Sequence, residues 1–517
     1  MLYFRLSYPN DMYNQQEQPF VSSPVSHRPS PTIWLINPPH QSIGSRMPKE
    51  HLPPLGLLSI AGPLIDAGFE VKLLDADYSN MSFEEILKRT RAYLPDYILL
   101  GHAGSTSAQP TINRLTRLLK TALPLATMII GGVFPTYHWQ EILEDNPQID
   151  IVVCGEGEQV ALDLIQCLSG DGEADLSQIR GIAYRKEGKP FKNLPAPMLQ
   201  KLDDYRIAWE LMEGYHYTYW GKKKAVVIQF SRGCPYPCSY CGQSFFWKKW
   251  RHRDPQLLAD EIEMLHHTYG VEVINFADEN PSTNKREWIA FLRALIDKQL
   301  NLILVGSIRA DNIVRDAQYL HLYKKAGFER FLMGIENYDA VVLEKIKKAG
   351  SVSKDRQAIQ LLREHDIISM ATYVVGFGED KLKDFYFALK QLLSYDPDQV
   401  QLLYVTPHKW TPYFDEVKEK KIIQLDQSKW DYKHQIMETP HVKPWMVILL
   451  VKAIEVIMQV RPKALARWLF HRDRRIRKAM FWYNNIGKRV WFHELYSFFF
   501  KTRLAKEPIK IKDFWRD

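Results

Sequence analysis

Short apolar runs alternate with amphipathic helical patterns between residues 31 and 190. Helical spacing of the apolar residues predicts helices such as Phe83–Tyr93 and Gln109–Thr121. Five short apolar runs predict strands: Thr32–Asn37, Val71–Leu74, Tyr97–Gly101, Met128–Ile130 and Ile149–Val153. Strands that alternate with helices in this way indicate βαβ units and a parallel, Rossmann-like sheet.

A second series of the same kind begins near residue 223. Helix Pro255–Tyr269 carries apolar residues on one face. The strands predicted in this part are Ala225–Phe230, Val271–Ala277, Leu302–Ser307, Arg330–Gly334 and Ser369–Gly376. About six βα units predict a partial TIM-type barrel, whose active site is built at the carboxyl ends of its strands.

The predicted fold class is therefore α/β, in several parts, because 517 residues are too many for one core. We expect a disordered lead-in (1–30), a Rossmann-like domain (31–190), a linker (191–222), a (β/α)6 partial barrel (223–425) and a basic helical C-terminal region (426–517). The lead-in has no apolar segment typical of a signal peptide.

Charge is distributed unevenly along the chain. The net charge is +8, yet residues 441–517 hold 18 Lys and Arg against 6 Asp and Glu, a net of +12. This tail also carries many aromatic residues, so it is suited to anionic lipid, nucleic acid or an anionic ligand. A solvated basic face over an apolar core is the equal alternative. No stretch reaches the roughly 18–20 uncharged apolar residues of a membrane span.

Three of the five cysteines lie within eight residues, after the first barrel strand. Cys234, Cys238 and Cys241 have the spacing C-x3-C-x2-C, which favours a metal site over a disulfide framework. Three thiolates can hold three irons of a [4Fe–4S] cluster and leave the fourth iron open. A zinc site of these thiolates with His252 is the alternative, although zinc ligands more often come as two separated pairs.

With Tyr240 before the last cysteine, this loop resembles the signature of the radical S-adenosylmethionine superfamily over roughly residues 223–425. The resemblance implies that the open iron chelates the amino and carboxylate groups of S-adenosylmethionine. It also implies that one electron from the cluster yields a 5′-deoxyadenosyl radical, with ferredoxin or flavodoxin as the kind of electron donor.

Residues at the ends of successive barrel strands match the S-adenosylmethionine site that this resemblance implies. They are Asp278, Glu279, Arg309, Glu336 and Gly376. The first two carboxylates would meet the amino group, and the arginine fork suits the carboxylate. The third carboxylate would bond the nucleoside, and the glycine, with Gly378, would admit the adenine. Taken singly, each is better explained by a surface charge or a turn, and their placement at successive strand ends gives the two interpretations equal weight.

The N-terminal domain carries glycines and hydroxyls at its strand-to-helix turns. The candidate ligand-binding residues are Ser105, Thr106, Gly131, Gly132, Gly155, Glu156 and Gly157. Because it precedes the barrel, this domain resembles the cobalamin-binding domain of one branch of the superfamily, which implies cobalamin as a cofactor. The chain has no D-x-H-x-x-G motif, so no histidine of that kind would hold the cobalt. His138 is another candidate, with a core or helix-start histidine as the alternative. Loss of cobalamin binding also stays open.

Several segments resemble the anaerobic magnesium-protoporphyrin IX monomethyl ester oxidative cyclases, over nearly the whole chain from residue 31. The residues that carry the resemblance are Gln243, Phe246, Trp247, Arg251, Arg253, Asp254 and Pro255, with Ala-Asp-Glu-Asn-Pro281 and Val-Thr-Pro-His-Lys-Trp-Thr-Pro412. The resemblance implies oxygen-independent closure of the isocyclic ring of (bacterio)chlorophyll. A methyl-propionate side chain is oxidised to a ketone, with oxygen from water, and joined to the macrocycle.

A large planar tetrapyrrole needs aromatic walls and a few polar anchors. Trp247, Trp250, Trp410 and Tyr413 are candidates for stacking, and Arg251 or Arg253 for pairing the remaining propionate. For Trp410 and Tyr413, core packing is the equal alternative.

The cluster loop alone does not separate a cyclase from its relatives. A cobalamin-dependent radical methyltransferase acting on a tetrapyrrole or lipid is the runner-up, and a non-catalytic metal- or tetrapyrrole-binding protein is a second alternative. We expect a cytoplasmic protein with no nucleic acid partner, and peripheral membrane contact through the basic tail stays open.

Overall fold

The computed structural model describes residues 31–39, 50–101, 105–170, 172–348, 352–377 and 379–515. The predicted lead-in and Gly378 lie outside the described residues, and of Ser105 only the backbone is described.

The N-terminal domain is built on one seven-stranded sheet. Its strands are β1 (Thr32–Asn37), β2 (Glu70–Asp75), β3 (Tyr97–Leu100), β4 (Thr127–Gly131), β5 (Ile151–Val153), β6 (Ile182–Lys186) and β7 (Lys189–Lys192). The order is β2-β1-β3-β4-β5-β6-β7. The first five strands are parallel, as predicted. The hairpin β6–β7, which the sequence analysis missed, extends the sheet antiparallel.

Helices cover both faces of this sheet, which therefore has two cores. They are α1 (Leu55–Asp66), α2 (Phe83–Tyr93), α3 (Gln109–Ala122), α4 (Val133–Tyr137), α5 (Trp139–Asp145) and α6 (Glu158–Ser169). Along β1, Trp34 and Ile36 enter one core, while Ile33 and Leu35 enter the other. A strand that is buried on both faces explains the unbroken apolar runs in the sequence.

The second domain is a curled sheet of six parallel strands with one antiparallel edge strand. Its strands are β8 (Thr218–Tyr219), β9 (Lys223–Ile228), β10 (Ser231–Arg232), β11 (Arg251–His252), β12 (Val273–Phe276), β13 (Ile303–Ser307), β14 (Phe328–Glu336), β15 (Ile368–Val375) and β16 (Gln399–Tyr404). The order is β16-β15-β14-β13-β12-β9-β8, and β10 pairs separately with β11. The predicted (β/α)6 partial barrel, and with it the fold class, is confirmed.

The barrel helices lie between these strands. They are α7 (Gly242–Trp247), α8 (Pro255–Tyr269), α9 (Lys285–Asp297), α10 (Ala310–Arg315), α11 (Leu320–Ala326), α12 (Ala340–Lys345), α13 (Val352–Glu364) and α14 (Leu382–Tyr395). The ends of α8 follow from its sequence. Asp254 accepts hydrogen bonds from the first free N–H groups, Pro255 opens the helix, and Gly270 ends it in a left-handed conformation.

The C-terminal region is mainly helical and packs against the barrel. It holds α15 (Pro412–Val417), α16 (Pro444–Val460), α17 (Pro462–Phe470), α18 (Arg474–Tyr496), a π-helix (Ser497–Lys501), α19 (Ile511–Phe514) and the strand pair β17 (Lys421–Ile422) and β18 (Ile509–Lys510). Short 3-10 helices occur at Ser105–Ala108, Leu176–Gln178, Trp209–Met212, Pro281–Thr283, Ala317–Tyr319 and Gln427–Lys429. Within the described ranges, no helix has the length and apolarity needed to cross a membrane.

Candidate active site between the two domains

The cysteine loop follows β9 and is closed at its base by the pairing of β10 with β11. Gly233 has a φ of 93°, and a Cβ there would lie 2.5 Å from the carbonyl oxygen of Lys249. Glycine is therefore required where the two ends of the loop cross. This crossing fixes the position in the structure at which the cysteine loop, residues 234–241, begins.

The three cysteines line one cavity of about 880 Å³, which is walled by both domains. Burial raises the pKa of Cys234 to about 11, and burial also raises the pKa of Cys238. Burial therefore favours the protonated form of these two thiols, and metal binding would release their protons.

The arrangement does not fit the zinc alternative. His252 Nδ1 lies 2.8 Å from its neighbour's carbonyl oxygen, that of Arg253, and the imidazole stacks on Phe230 with ring centres 5.7 Å apart. Among the residues that the structure describes, no three His, Cys, Asp or Glu side chains gather around a position for one metal ion. Thiols spread around a cavity instead suit separate irons of one cluster.

Asp278 and Glu279, after β12, both line the cavity and both contact the cysteine loop. Asp278 accepts hydrogen bonds from Ser231 N at 2.5 Å, Ser231 Oγ at 2.6 Å and Phe230 N at 3.0 Å. Burial raises its pKa to about 7, against the lowering effect of these hydrogen bonds. Glu279 accepts a longer bond, of 3.3 Å, from Gly233 N and also interacts with the Trp247 side chain. Asp278 thus positions the base of the loop, and Glu279 contacts the loop through Gly233 and lines the cavity.

Arg309, after β13, lies against the cysteine loop through an aromatic ring. Its guanidinium carbon is 3.6 Å from the centre of the Tyr236 ring, and its Nε is 2.9 Å from Asp311 Oδ1. The Tyr236 hydroxyl donates to the other Asp311 oxygen at 3.0 Å. Because Tyr236 lies between Cys234 and Cys238, this triad fixes a cation beside the thiols.

Glu336 ends β14 at a shift in strand register and has a φ of 66°. Lys348 Nζ lies 3.1 Å from its Oε1, and both side chains are largely buried. Burial lowers the pKa of Lys348, but the negative charges of Glu336 and Cys238 together more than offset this, so the pKa rises. A Cβ on Gly334 would overlap Glu336 Oε1 and come within 2.8 Å of Lys348 Nζ. Strand β14 therefore makes room for this ion pair at the cavity wall.

Gly376 lies apart from the other predicted S-adenosylmethionine residues. Its φ is 95°, and its N–H donates to Asp380 Oδ2 at 2.7 Å. It lines a separate, small cavity with Tyr404 and Val405. It is not part of the described lining of the large cavity, although its carbonyl oxygen accepts a hydrogen bond from the Tyr413 hydroxyl at 3.5 Å, and Tyr413 N donates to Ser239 O in the cysteine loop.

Two glycine loops of the N-terminal domain form the opposite wall. Residues Gly131, Gly132, Gly155, Glu156 and Gly157 all line the large cavity. Two of these glycines, at 132 and 155, have φ values of 111° and 98°, and a Cβ on either would meet open space. A flat ligand can therefore approach the backbone closely here.

The third predicted loop faces a different environment. Thr106 is buried, and its Oγ1 lies 3.2 Å from His408 Nδ1, while His408 Nε2 lies 2.7 Å from the Tyr432 hydroxyl. Thr106 is not part of the described lining of the large cavity. Thr106 thus joins the N-terminal domain to His408 of the barrel, and His408 continues the contact to Tyr432 of the C-terminal region.

Buried ion pairs connect the two walls of the cavity. Arg232 Nη1 lies 3.1 Å from Glu156 Oε1, and its Nη2 lies 2.5 Å from Glu158 Oε1. Arg251 Nη1 lies 2.8 Å from Glu156 Oε2. The cysteine loop and the second glycine loop are thus held together by charge.

Of the aromatic candidates, the structure brings Trp247 to the cavity, with Phe246 beside it. Trp250 donates from Nε1 to Asn280 O at 3.2 Å. Trp410 stacks on Tyr137 with ring centres 5.1 Å apart, and Tyr413 is buried. Trp410 and Tyr413 therefore contribute to core packing.

The two candidate propionate partners and His138 have other neighbours. Arg251 pairs with Glu156, and Arg253 lies 2.6 Å from Asp203 Oδ1 and 2.5 Å from Glu261 Oε2. The His138 ring stacks on Phe134 with centres 4.1 Å apart and is buried. It is a core histidine.

Lys348, Arg232 and the role of Glu158 were not predicted from the sequence. Lys348 ends a basic run that looks like a solvated helix end, and Arg232 pairs with carboxylates 74 and 76 residues away. No local pattern marks such pairs. The only indication in the sequence that Arg232 belongs to the site was its position directly before the cysteine loop.

Comparison with known proteins identifies the domain family that forms each wall of the cavity. The chain matches the B12 binding domain over residues 46–165 and the radical SAM superfamily over residues 228–390. The protein is therefore a radical S-adenosylmethionine protein with a cobalamin-binding domain. The predicted cofactors, a [4Fe–4S] cluster, S-adenosylmethionine and cobalamin, are confirmed as those of this class.

Proteins of similar sequence show which family within this class the chain belongs to. The chain is 52% identical over 483 residues to the anaerobic magnesium-protoporphyrin IX monomethyl ester cyclase of Synechocystis sp., covering 93% of this chain and 96% of the relative. The chain belongs to the family of anaerobic magnesium-protoporphyrin IX monomethyl ester cyclases.

Methylases are more distant relatives. Hopanoid C-3 methylase of Methylococcus capsulatus is 24% identical over 411 residues, which cover 78% of this chain and 76% of the methylase. Among solved structures, the radical S-adenosylmethionine methyltransferase TsrM of Kitasatospora setae, with cobalamin and a [4Fe-4S] cluster bound, has a TM-score of 0.69 at 15% identity, covering 90% of this chain and 100% of TsrM. This similarity shows the shared fold.

The described residues fit the cofactors of this class. Cys234, Cys238 and Cys241 are soft sulfur donors on one cavity, as a cluster requires. The open space beside Gly132 and Gly155 suits a flat macrocycle.

Proposed function

We propose that this protein is an oxygen-independent oxidative cyclase, which forms the isocyclic ring of (bacterio)chlorophyll from magnesium-protoporphyrin IX monomethyl ester. The cyclase relative, 52% identical over almost its whole length, carries this proposal. The cavity of about 880 Å³ between the cysteine loop and the glycine loops supports it, because its volume lies in the range of ligand-binding sites.

The reaction needs a radical, because no side-chain base removes hydrogen from an unactivated carbon. When bound, the cluster and S-adenosylmethionine supply that radical. The chain's own residues bind and orient these groups. In our proposal Glu279 meets the amino group of S-adenosylmethionine, Arg309 its carboxylate and Glu336 its nucleoside, while Asp278 holds the cysteine loop in place.

The glycine loops would hold cobalamin on the opposite wall, through Gly131, Gly132, Gly155 and Gly157. The predicted contributions of Ser105, Thr106 and Gly376 stay proposals. The structure gives Thr106 and Gly376 partners outside the large cavity.

The tetrapyrrole would lie against the aromatic edge of the cavity. Phe246 and Trp247 line it next to Cys241, and Gln243 lines it with an exposed amide. Stacking on these rings would orient the macrocycle, and the amide would bond a polar substituent.

An anaerobic assay with reductant, S-adenosylmethionine and magnesium-protoporphyrin IX monomethyl ester tests the proposal. We expect release of 5′-deoxyadenosine and a product with a shifted absorption spectrum. No 5′-deoxyadenosine under these conditions would favour the non-catalytic binding protein. Trp247→Ala should raise the substrate KM more than it lowers 5′-deoxyadenosine release in the absence of substrate.

A cobalamin-dependent radical methyltransferase acting on a tetrapyrrole or lipid is the second candidate. The similarity to a hopanoid methylase and the B12-binding domain favour it. Stoichiometric S-adenosylhomocysteine alongside a methylated product would support it over the cyclase.

We propose a cytoplasmic protein with the predicted boundaries, an N-terminal domain at 31–190, a linker at 191–222, a barrel at 223–425 and a helical region at 426–517. We further propose reduction by a carrier such as ferredoxin or flavodoxin, and peripheral membrane contact through the basic C-terminal region. The charge of residues 441–517 supports that contact.

A further inference from the structure

One face of helix α18 and of the π-helix after it is exposed, aromatic and basic. Its exposed residues recur at helical spacing: Arg474, Lys478, Phe481, Lys488, Arg489, Phe492, Tyr496, Phe499 and Phe500. Phe492 is 75% exposed and Phe500 77%. The stretch from Phe481 to Phe500 spans about 28 Å at the rise of a helix.

The opposite face of α18 is fixed to the rest of the protein. The Tyr483 hydroxyl donates to Val400 O in β16 at 2.9 Å. Glu494 is buried and contacts Lys452 of α16, which in turn lies 2.6 Å from Glu455. The aromatic and basic face is therefore held outward on a rigid support.

The charges on this face are of one sign. Residues 474–503 hold eight Lys and Arg (Arg474, Arg475, Arg477, Lys478, Lys488, Arg489, Lys501 and Arg503). The single acidic residue in this stretch is Glu494, whose side chain is turned inward. Among the described residues, Lys478, Lys488 and Arg489 have no carboxylate partner, so their charges face solvent.

Aromatic rings and cations alternate within this face. Tyr496 lies between Phe492 and Phe500, with its ring 5.2 Å from that of Phe500, and Lys501 Nζ lies 5.4 Å from the Tyr496 ring centre. On the adjoining α17, Phe470 is 80% exposed. Protruding rings among unpaired cations are typical of helices that lie in the interface of an anionic bilayer.

We propose that the outward face of α18 and the π-helix docks on the surface of an anionic phospholipid bilayer. The rings enter the headgroup layer, and the cations pair with lipid phosphates. This inference rests on the proposed membrane contact and names the helix face that makes it. Docking would let the protein take an apolar tetrapyrrole from the bilayer.

Nucleic acid is the other anionic partner that such charge attracts. Phosphate binding would use the cations but leave the protruding phenylalanines in water. The face contains at least as many exposed rings as cations, which favours lipid.

Co-sedimentation of the full-length, cluster-loaded protein with vesicles tests the proposal. Wild type should bind vesicles of phosphatidylcholine with phosphatidylglycerol at low salt, at least about tenfold more tightly than vesicles of phosphatidylcholine alone. Lys488→Gln/Arg489→Gln should weaken this binding by about tenfold or more. Phe492→Ser/Phe500→Ser should remove the part of the binding that survives high salt.

The matched control uses α14, which also carries exposed lysines and an exposed ring. Lys383→Gln/Lys390→Gln/Tyr386→Ser should leave vesicle binding within about twofold of wild type. Iron content and far-UV circular dichroism should be unchanged in every variant, because all substituted residues are exposed.

Absence of wild-type binding at low salt, or an equal loss in the α14 control, would overturn the proposal. The proposal would also be overturned if a DNA duplex displaced the protein from vesicles and bound the same α18 variants more weakly than wild type. The cyclase assay in detergent separates the two proposals. If α18 variants no longer bind vesicles but still form the cyclised product, the docking proposal stands. If wild type binds vesicles but forms no cyclised product, only the proposed activity fails.

Discussion

Arg232 Nη1 lies 3.1 Å from Glu156 Oε1, and this pair joins the two cofactor-facing loops of the protein. Arg232 stands two residues before Cys234, and Glu156 stands between Gly155 and Gly157. The side chains are only 12% and 7% exposed, so solvent screens their attraction little. The geometry of one loop therefore depends on the other.

Removing Arg232 should loosen both loops. Arg232→Gln leaves Glu156 with one cationic partner and Glu158 with none, and breaking a buried pair costs about 3–5 kcal/mol. We expect a lower free energy of unfolding and weaker retention of added hydroxocobalamin, followed by its absorption spectrum, with iron content near wild type. Arg206→Gln, at an exposed pair, should cost less than about 1 kcal/mol. Equal behaviour of the two variants would refute the coupling.

Each of Cys234, Cys238 and Cys241 should be needed for iron. After anaerobic reconstitution, wild type should be brown with about four irons per chain. Alanine at any of the three positions should abolish that colour. Cys167→Ala is the control, because Cys167 lies on α6, away from the cavity. A colourless zinc protein, or a triad variant that keeps its iron, would contradict the cluster assignment.

Gly334→Ala should weaken S-adenosylmethionine binding without loss of iron. The added Cβ would overlap Glu336 Oε1 and push it away from Lys348. Loss of one charged hydrogen bond of about 1.5 kcal/mol corresponds to roughly tenfold in Kd. Equilibrium dialysis of the reconstituted protein measures this, with Gly170→Ala, at an exposed helix end, as the control. Unchanged affinity would remove Glu336 from the site.

His408 should make the protein acid-sensitive. Burial lowers its pKa to about 3, whereas an unfolded histidine takes up a proton near pH 6.5. Between these values the unfolded chain binds more protons, so stability is full above about pH 6.5 and falls as the pH drops. From pH 7 to pH 5, wild type should lose about 2 kcal/mol more unfolding free energy than His408→Gln.

The matched control for that experiment is His267→Gln, because His267 is exposed on α8. Chemical denaturation at the two pH values should give this variant the same pH dependence as wild type. If His408→Gln also follows wild type, His408 is not buried as neutral imidazole.

The sequence was sufficient for features that local pattern or strand order determines. Cys234, Cys238 and Cys241 follow from spacing alone. The rule that active sites lie at the carboxyl ends of barrel strands predicted that Glu279 and Arg309 would approach the cysteines, and the structure places both at the cavity. Their contacts with S-adenosylmethionine remain predictions.

Features set by distant side chains were not predictable in this way. Gly376 also ends a barrel strand, but Asp380 accepts its N–H, and the glycine lines a separate, small cavity. Thr106 ends a loop in the N-terminal domain, yet its hydroxyl meets His408, which is 302 residues away. Lys348 lines the cavity beyond helix α12, where its ammonium meets the Glu336 carboxylate, 12 residues earlier. A loop's direction depends on such partners, which sequence periodicity does not encode.

The mass of the product made anaerobically from magnesium-protoporphyrin IX monomethyl ester tests the central claim most directly. Cyclisation to the ketone adds one oxygen and removes four hydrogens, whereas methylation adds one carbon and two hydrogens. We predict the first mass change, dependent on S-adenosylmethionine and reductant and absent in Cys238→Ala. The second mass change, or unaltered substrate beside released 5′-deoxyadenosine, would contradict the cyclase assignment.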